Sequence, residues 1–71
     1  MNKQYIQRFM AYEELINREE KVTLNQLVKW TNSNKFMTLK YLDKIIELKL
    51  IKKVGSYYKL NKEEVEKWYL N

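Results

Sequence analysis

Residues 22–60 read VTLNQLVKWTNSNKFMTLKYLDKIIELKLIKKVGSYYKL. Thr23 is a good N-cap, and Leu24, Leu27 and Val28 follow at the i, i+3, i+4 spacing of a buried helix face. They predict a short helix from Leu24 to about Thr31. Asn32-Ser33-Asn34 is a run of turn- and cap-forming residues. Thr38, Leu39, Leu42, Ile45 and Ile46 form a second apolar stripe, which predicts a helix from Lys35 to about Leu48. At about 100° per residue, Lys40, Asp43, Lys44 and Glu47 fall on its opposite side. Leu50-Ile51 then opens a strand, and Gly55-Ser56 suits a type II′ hairpin turn, with glycine at the position that needs positive φ. That turn pairs Val54 with Tyr57, Lys52 with Lys59 and Ile51 with Leu60. Ile51, Lys53, Tyr58 and Leu60 then share one face, and Lys52, Val54, Tyr57 and Lys59 the other. Ile51 and Leu60 mark the buried face, with Lys53 near the tip where its amine still reaches water.

Working outward, Tyr5, Ile6, Phe9, Tyr12, Leu15 and Ile16 recur at spacings of three and four, an amphipathic helix from Lys3 to about Asn17. Arg8, Glu13 and Glu14 lie off that stripe. Lys21-Val22 is too short for an independent strand but suits a third strand beside the hairpin. At the other end, Asn61 and Glu64 form a capping-box-like start for a last helix, whose apolar stripe is Val65, Trp68 and Tyr69. The expected fold is mainly α with a small β-hairpin, an α+β class in the order α-β-α-α-β-β-α. One domain covers 1–71, with 22–60 as its central motif and 1–20 and 61–71 as flanking helices.

Charge is distributed unevenly along this frame. The net charge is +5, yet residues 1–28 hold four basic and four acidic side chains. Lys29 to Lys59 holds eight lysines against only Asp43 and Glu47, a local balance of +6. A basic helix followed by a basic hairpin suits a polyanion, because local rather than total charge produces attraction. The chain has no Cys and no His, which removes disulfides, thiolate metal sites and the commonest general base. Glu13-Glu14, Glu19-Glu20 and Glu63-Glu64 are sequence neighbours that diverge around a helix, so none makes a catalytic dyad. Neither an enzyme activity nor a cofactor is expected. No apolar run approaches the roughly 20 residues of a membrane span, and Arg8, Glu13 and Glu14 interrupt any signal-like segment. The expected location is cytoplasmic.

The order of elements, carried by residues 22–60, resembles the winged helix-turn-helix family. Thr23 before Leu27-Val28 matches the cap and apolar pair of that family's first motif helix. Thr38 four residues before Leu42, then Ile45, matches its recognition helix. Leu50-Ile51 matches the step into the wing, and Tyr58-Lys59-Leu60 the return strand. Asn32 and Lys49 stand where the family often has glycine. The resemblance implies sequence-specific binding of double-stranded DNA, with the Lys35–Leu48 helix in the major groove and the basic hairpin on the backbone. The simplest role is a small dimeric transcriptional regulator.

On that reading the base-facing candidates are Asn34, Lys35, Phe36, Met37, Lys40, Tyr41 and Lys44. Ser33 or Asn34 caps the helix, whose free N–H groups also suit a phosphate. Lys52, Lys53 and Lys59 are the hairpin's phosphate contacts. Phe36 and Met37 either meet thymine methyls, if exposed, or close the core under the turn, if buried. Tyr41 either stacks on DNA or packs. Trp30 is expected to pack against another helix. Tyr5, Phe9, Tyr12, Trp68 and Tyr69 on the flanking helices either complete the core of one subunit or form a two-fold interface; the homodimer is the favoured expectation. No membrane or small-molecule partner is indicated. The rival reading is a winged-helix protein-interaction module, such as a replication or partition adaptor of a mobile element, whose basic face meets an acidic protein.

Overall fold

The computed structural model describes residues 2–70. The chain forms α1 (Lys3–Glu19), α2 (Leu24–Trp30), α3 (Lys35–Glu47), β1 (Ile51–Val54), β2 (Tyr57–Leu60) and α4 (Lys62–Leu70). This is a mainly helical α+β domain of four helices and a two-stranded antiparallel hairpin. No helix among the described residues is long and apolar enough to cross a membrane.

Local chemistry sets each helix start. The Asn2 side chain accepts from the Tyr5 N–H at 3.1 Å and caps α1. Thr23 and Gln26 make a reciprocal capping box at α2, with bonds of 3.2 and 2.8 Å. Asn34, not Ser33, caps α3: its Oδ1 accepts from the Met37 N–H at 2.9 Å. Asn61 caps α4 more loosely, accepting from the Glu64 N–H at 3.4 Å.

The ends of α2 and α3 share one device. After α2, Asn32 adopts φ 49°, its N–H donates to the Lys29 carbonyl, and the Ser33 N–H donates to the Val28 carbonyl. After α3, Lys49 adopts φ 65°, its N–H donates to the Ile46 carbonyl, and the Leu50 N–H donates to the Ile45 carbonyl. Both are Schellman motifs with a left-handed residue just past the cap. They occupy the two positions, Asn32 and Lys49, at which the sequence departs from the glycine common in the family it resembles. Asparagine tolerates this geometry, whereas lysine is strained in it.

The hairpin has the expected register: Ile51 opposite Leu60, Lys52 opposite Lys59, Lys53 opposite Tyr58 and Val54 opposite Tyr57. Gly55 sits at φ 63° while Ser56 is not among the positive-φ residues, as the type II′ turn requires. The third strand reduces to a single bridge. The Val22 N–H donates to the Tyr58 carbonyl at 3.0 Å, and the Tyr58 N–H returns a bond of 2.7 Å.

One core joins these elements. Phe9, Tyr12 and Ile16 of α1 meet Leu27 of α2, Thr38, Leu42 and Ile45 of α3, Val22, and Ile51 of β1. The Thr38 hydroxyl donates to the Asn34 carbonyl at 2.8 Å, which satisfies the one polar side chain among the buried residues outside the tyrosines. This arrangement corrects two of the dimer-contact expectations. Phe9 and Tyr12 are both 0% exposed within a single chain, so they are unavailable to a second copy. Their spacing from Leu15 and Ile16 turns them onto the α3 side of α1. Trp68 packs edge-on against Phe9, with ring centroids 5.2 Å apart, and so α4 closes the same core.

Candidate nucleic-acid interface

The helix α3 divides cleanly around its axis. Thr38, Tyr41, Leu42 and Ile45 face the core, with Met37, Leu39 and Ile46 half-buried at its margins. Lys35, Phe36, Lys40, Asp43, Lys44 and Glu47 are exposed. Phe36, in the first turn, is 75% exposed. Lys40 lies one turn further on the same stripe and, among the described residues, has no carboxylate partner. Lys44 reaches the Glu47 carboxylate at 3.9 Å, an exposed i,i+3 contact that contributes little to stability. The outward face is therefore apolar and cationic at its N-terminal half and of mixed charge at its C-terminal half.

Tyr41 does not belong to this face, and its placement among base-contacting residues is corrected. It is 7% exposed. The Tyr5 ring meets it edge-on at 5.0 Å, and the Arg8 guanidinium lies 4.7 Å from its ring centroid. Tyr41 stands three residues after Thr38 and four before Ile45, which is the spacing of the buried stripe itself. Met37 is half-buried against the core, and Ser33 is half-buried with its N–H committed to Val28. The Asn34 side-chain Oδ1 is occupied by the cap, which leaves its side-chain N–H₂ to meet a partner.

The three lysines of the hairpin are exposed, but they do not share one surface. Lys53 is on the inner face, 6.0 Å from the Tyr58 ring. Burial raises the Tyr58 pKa, and the nearby Asp43 carboxylate of α3 raises it further. Tyr58 thus links the hairpin to the exposed edge of α3, with Lys53 beside it. Lys52 and Lys59 face each other across the strands on the outer face. Like charges at that spacing repel, and neither has an ion-pair partner among the described residues. They border an open groove of about 520 Å³ with Asn17, Glu20, Lys62 and Glu63. Lys21, expected only as part of a third strand, joins them by lying 4.5 Å over the Tyr57 ring.

The flanking aromatics divide as well. Tyr69 is 53% exposed, and its hydroxyl donates to Glu13 Oε1 at 2.5 Å. That bond, with lesser help from burial and the carboxylate's charge, pushes its pKa up to about 12. Tyr5 and Trp68 are half-buried. Trp30 packs on α1 as expected, its indole N–H donating to the Ala11 carbonyl at 2.8 Å and Arg18 lying 5.3 Å over its ring. Both arginines of the chain therefore sit on aromatic faces.

Among the described residues, no cluster of three or more His, Cys, Asp or Glu is arranged to hold a metal ion. The geometry defines a small α+β domain with one apolar and cationic helix face bordered by a basic hairpin. No known protein family, curated protein or solved structure matches the chain.

Proposed function

We propose that this chain is a winged helix-turn-helix domain that binds double-stranded DNA in a sequence-specific way, with α3 as the recognition helix and the hairpin as the wing. The observation that carries this reading is the outward stripe of α3. A helix whose other side is core leaves Phe36 three-quarters exposed beside an unpaired Lys40. Lys40 suits guanine O6 and N7, and Phe36 suits the thymine methyl. Lys35 and Lys44 stand at the margins of the stripe for phosphate contact. Lys53, next to α3 through Tyr58, anchors the near strand, and Lys52 and Lys59 add to the field. Asp43 and Glu47 favour docking through the N-terminal half of the helix, since carboxylates repel phosphate.

The regulator acts as a dimer in this proposal. With Phe9 and Tyr12 inside the core, the pairing surface moves to the exposed Tyr69 and Leu70 of α4 and to Met10 of α1. Met10 lies one turn before Glu13, the residue that holds Tyr69. A two-fold contact there would present two recognition helices to a palindromic site.

Selection of bound sequences from a random duplex pool tests the reading, followed by alanine substitution. Lys40→Ala should relax specificity at one or two positions. Lys52→Ala and Lys59→Ala should weaken all duplexes alike and flatten the salt slope by about one each. A pool that returns no enriched sequence, or hairpin variants that alter specificity while Lys40→Ala does not, would overturn the assignment.

A further inference from the structure

Between α1 and the α2–α3 pair runs an open groove of about 420 Å³. Gln4, Gln7 and Arg8 line it from α1, and Trp30, Thr31 and Tyr41 from the other side. Among the described residues, Arg8 is its one charged lining residue and no carboxylate lines it. The guanidinium is held 4.7 Å from the Tyr41 ring centroid, and Tyr41 is itself buried and braced by Tyr5. Among the described residues Arg8 makes no ion pair. The buried Tyr12 hydroxyl beside it has no hydrogen-bond partner among the described residues: Thr38 and Arg8 lie near it, yet neither reaches bonding geometry.

A planar five-donor fork, stacked and without a counterion, is preorganised for an oxyanion. The side-chain amides of Gln7, adjacent to Arg8, and Gln4, one turn before it on α1, line the same groove and offer neutral donors. A cation with no carboxylate close by leaves its charge available to a partner from outside.

We infer that this groove is an oxyanion seat in which Arg8 receives a backbone phosphate of the duplex that α3 enters. The inference rests on the DNA-binding reading. Its direction comes from the helical wheel of α3. Around the axis from Tyr41, at the groove, Met37 and then Lys44 follow toward the outward face, so the groove borders the Lys44 edge of that face. Asp43, near Tyr58 and Lys53, marks the opposite edge. The outward face of α3 then has a cation on each side, Arg8 from α1 and Lys53 from the hairpin. A recognition helix in a major groove meets a phosphate strand along both walls. The even charge of residues 1–28 concealed this, because Arg8 is cancelled in the count by carboxylates that lie elsewhere.

The chain has two arginines, so its guanidinium Nε–H signals in a ¹⁵N correlation spectrum are two, assigned with Arg18→Lys. Adding a short duplex at low salt should shift the Arg8 signal more than the Arg18 signal. Arg8→Met, which keeps the apolar stem over Tyr41, should weaken duplex binding by about tenfold and flatten the log–log salt slope by about one. Arg8→Lys should retain the slope. Thermal melts of both variants separate binding loss from unfolding; if Arg8→Met unfolds, the Arg8 signal and the Arg8→Lys slope decide. Inorganic phosphate is the second arm. A saturable shift of the Arg8 signal by phosphate, with none by duplex, would make the groove a small-anion site and overturn the backbone assignment. Wild-type affinity and slope in folded Arg8→Met, or an unmoved Arg8 signal on duplex binding, would overturn the inference while leaving DNA binding intact. Failure of the unaltered protein to bind any duplex would instead remove the reading beneath it.

Discussion

The chain's two phenylalanines are treated in opposite ways. Phe9 of α1 is 0% exposed, enclosed by the core and Trp68, while Phe36 of α3 is 75% exposed in the first turn of its helix. Burial of a phenylalanine is worth about 1.5–3 kcal/mol, so the exposed one forgoes a stabilisation that the buried one contributes. The two long helices thus divide the work. The side chains of α1 hold the domain together, and the outward side chains of α3 are left for a partner. Substitutions in the buried stripe of α1 should move stability and not binding. Those on the outward face of α3 should do the reverse.

The largest expected effect is at this pair. Phe9→Ala should destabilise the domain by about 3–5 kcal/mol, read as a fall in the urea midpoint. Phe36→Ala should change stability by no more than about 0.5 kcal/mol while weakening binding to a selected duplex. Replacing thymine by uracil at one position of that duplex should weaken the unaltered protein and leave Phe36→Ala indifferent, because only the methyl group is removed. If Phe36→Ala unfolds the domain, or binds the selected duplex undiminished, the division between the helices fails.

A smaller effect is expected where α3 ends. Lys49 holds φ 65° in a Schellman motif, a geometry that costs a side chain about 1–2 kcal/mol and glycine little. Against this stands the larger conformational entropy that glycine loses on folding. Lys49→Gly should therefore stabilise by up to about 1 kcal/mol in chemical denaturation. It should leave sequence preference unchanged, since Lys49 lies beyond the outward stripe. A destabilised Lys49→Gly variant would mean that the lysine makes an offsetting contact.

The smallest effect is on the α1–α4 side and appears only at high pH. Tyr69 has its pKa raised from 10.0 to about 12, chiefly by its hydrogen bond to Glu13. The folded state therefore holds this proton more tightly than the unfolded chain does. The associated stability is complete below the unfolded pKa of 10.0 and is lost as pH rises through about 12. Burial raises Tyr12 and Tyr58 in the same direction. Tyr69→Phe should accordingly decline less steeply over that range. An identical alkaline decline in both proteins would remove the Glu13 bond from the account.

Much of this arrangement was legible in the sequence because it rests on local rules. The caps Thr23 and Asn61 and the Gly55-Ser56 turn are short-range chemistry, and the register of the hairpin follows from the turn alone. The apolar stripe of α1 is unambiguous for the same reason, with six large residues on one arc. The stripe of α3 was harder. Leu39, Ile46 and Tyr41 spread the apolar arc wide enough to allow two centres. Tyr41 keeps the stripe's spacing to Thr38 and Ile45, and packing against Tyr5 and Arg8 holds it inside. The use of Phe9 and Tyr12 within one chain, rather than between two, was equally closed to sequence reasoning, since both demand burial of the same side chains. The separation of Lys53 from Lys52 and Lys59 was present in the strand alternation. The role of Arg8 was not, because it depends on which aromatic ring a distant helix brings beneath it.

The measurement that tests the central claim most directly is the salt dependence of duplex binding by the unaltered protein. If about four to six phosphates are neutralised per subunit, the log–log slope of affinity against salt should be roughly −3 to −6. Such a slope, reduced by about one in Lys53→Ala, is the result expected of a basic hairpin beside a recognition helix. A flat salt response, or no binding to duplex DNA even at low salt, would contradict it.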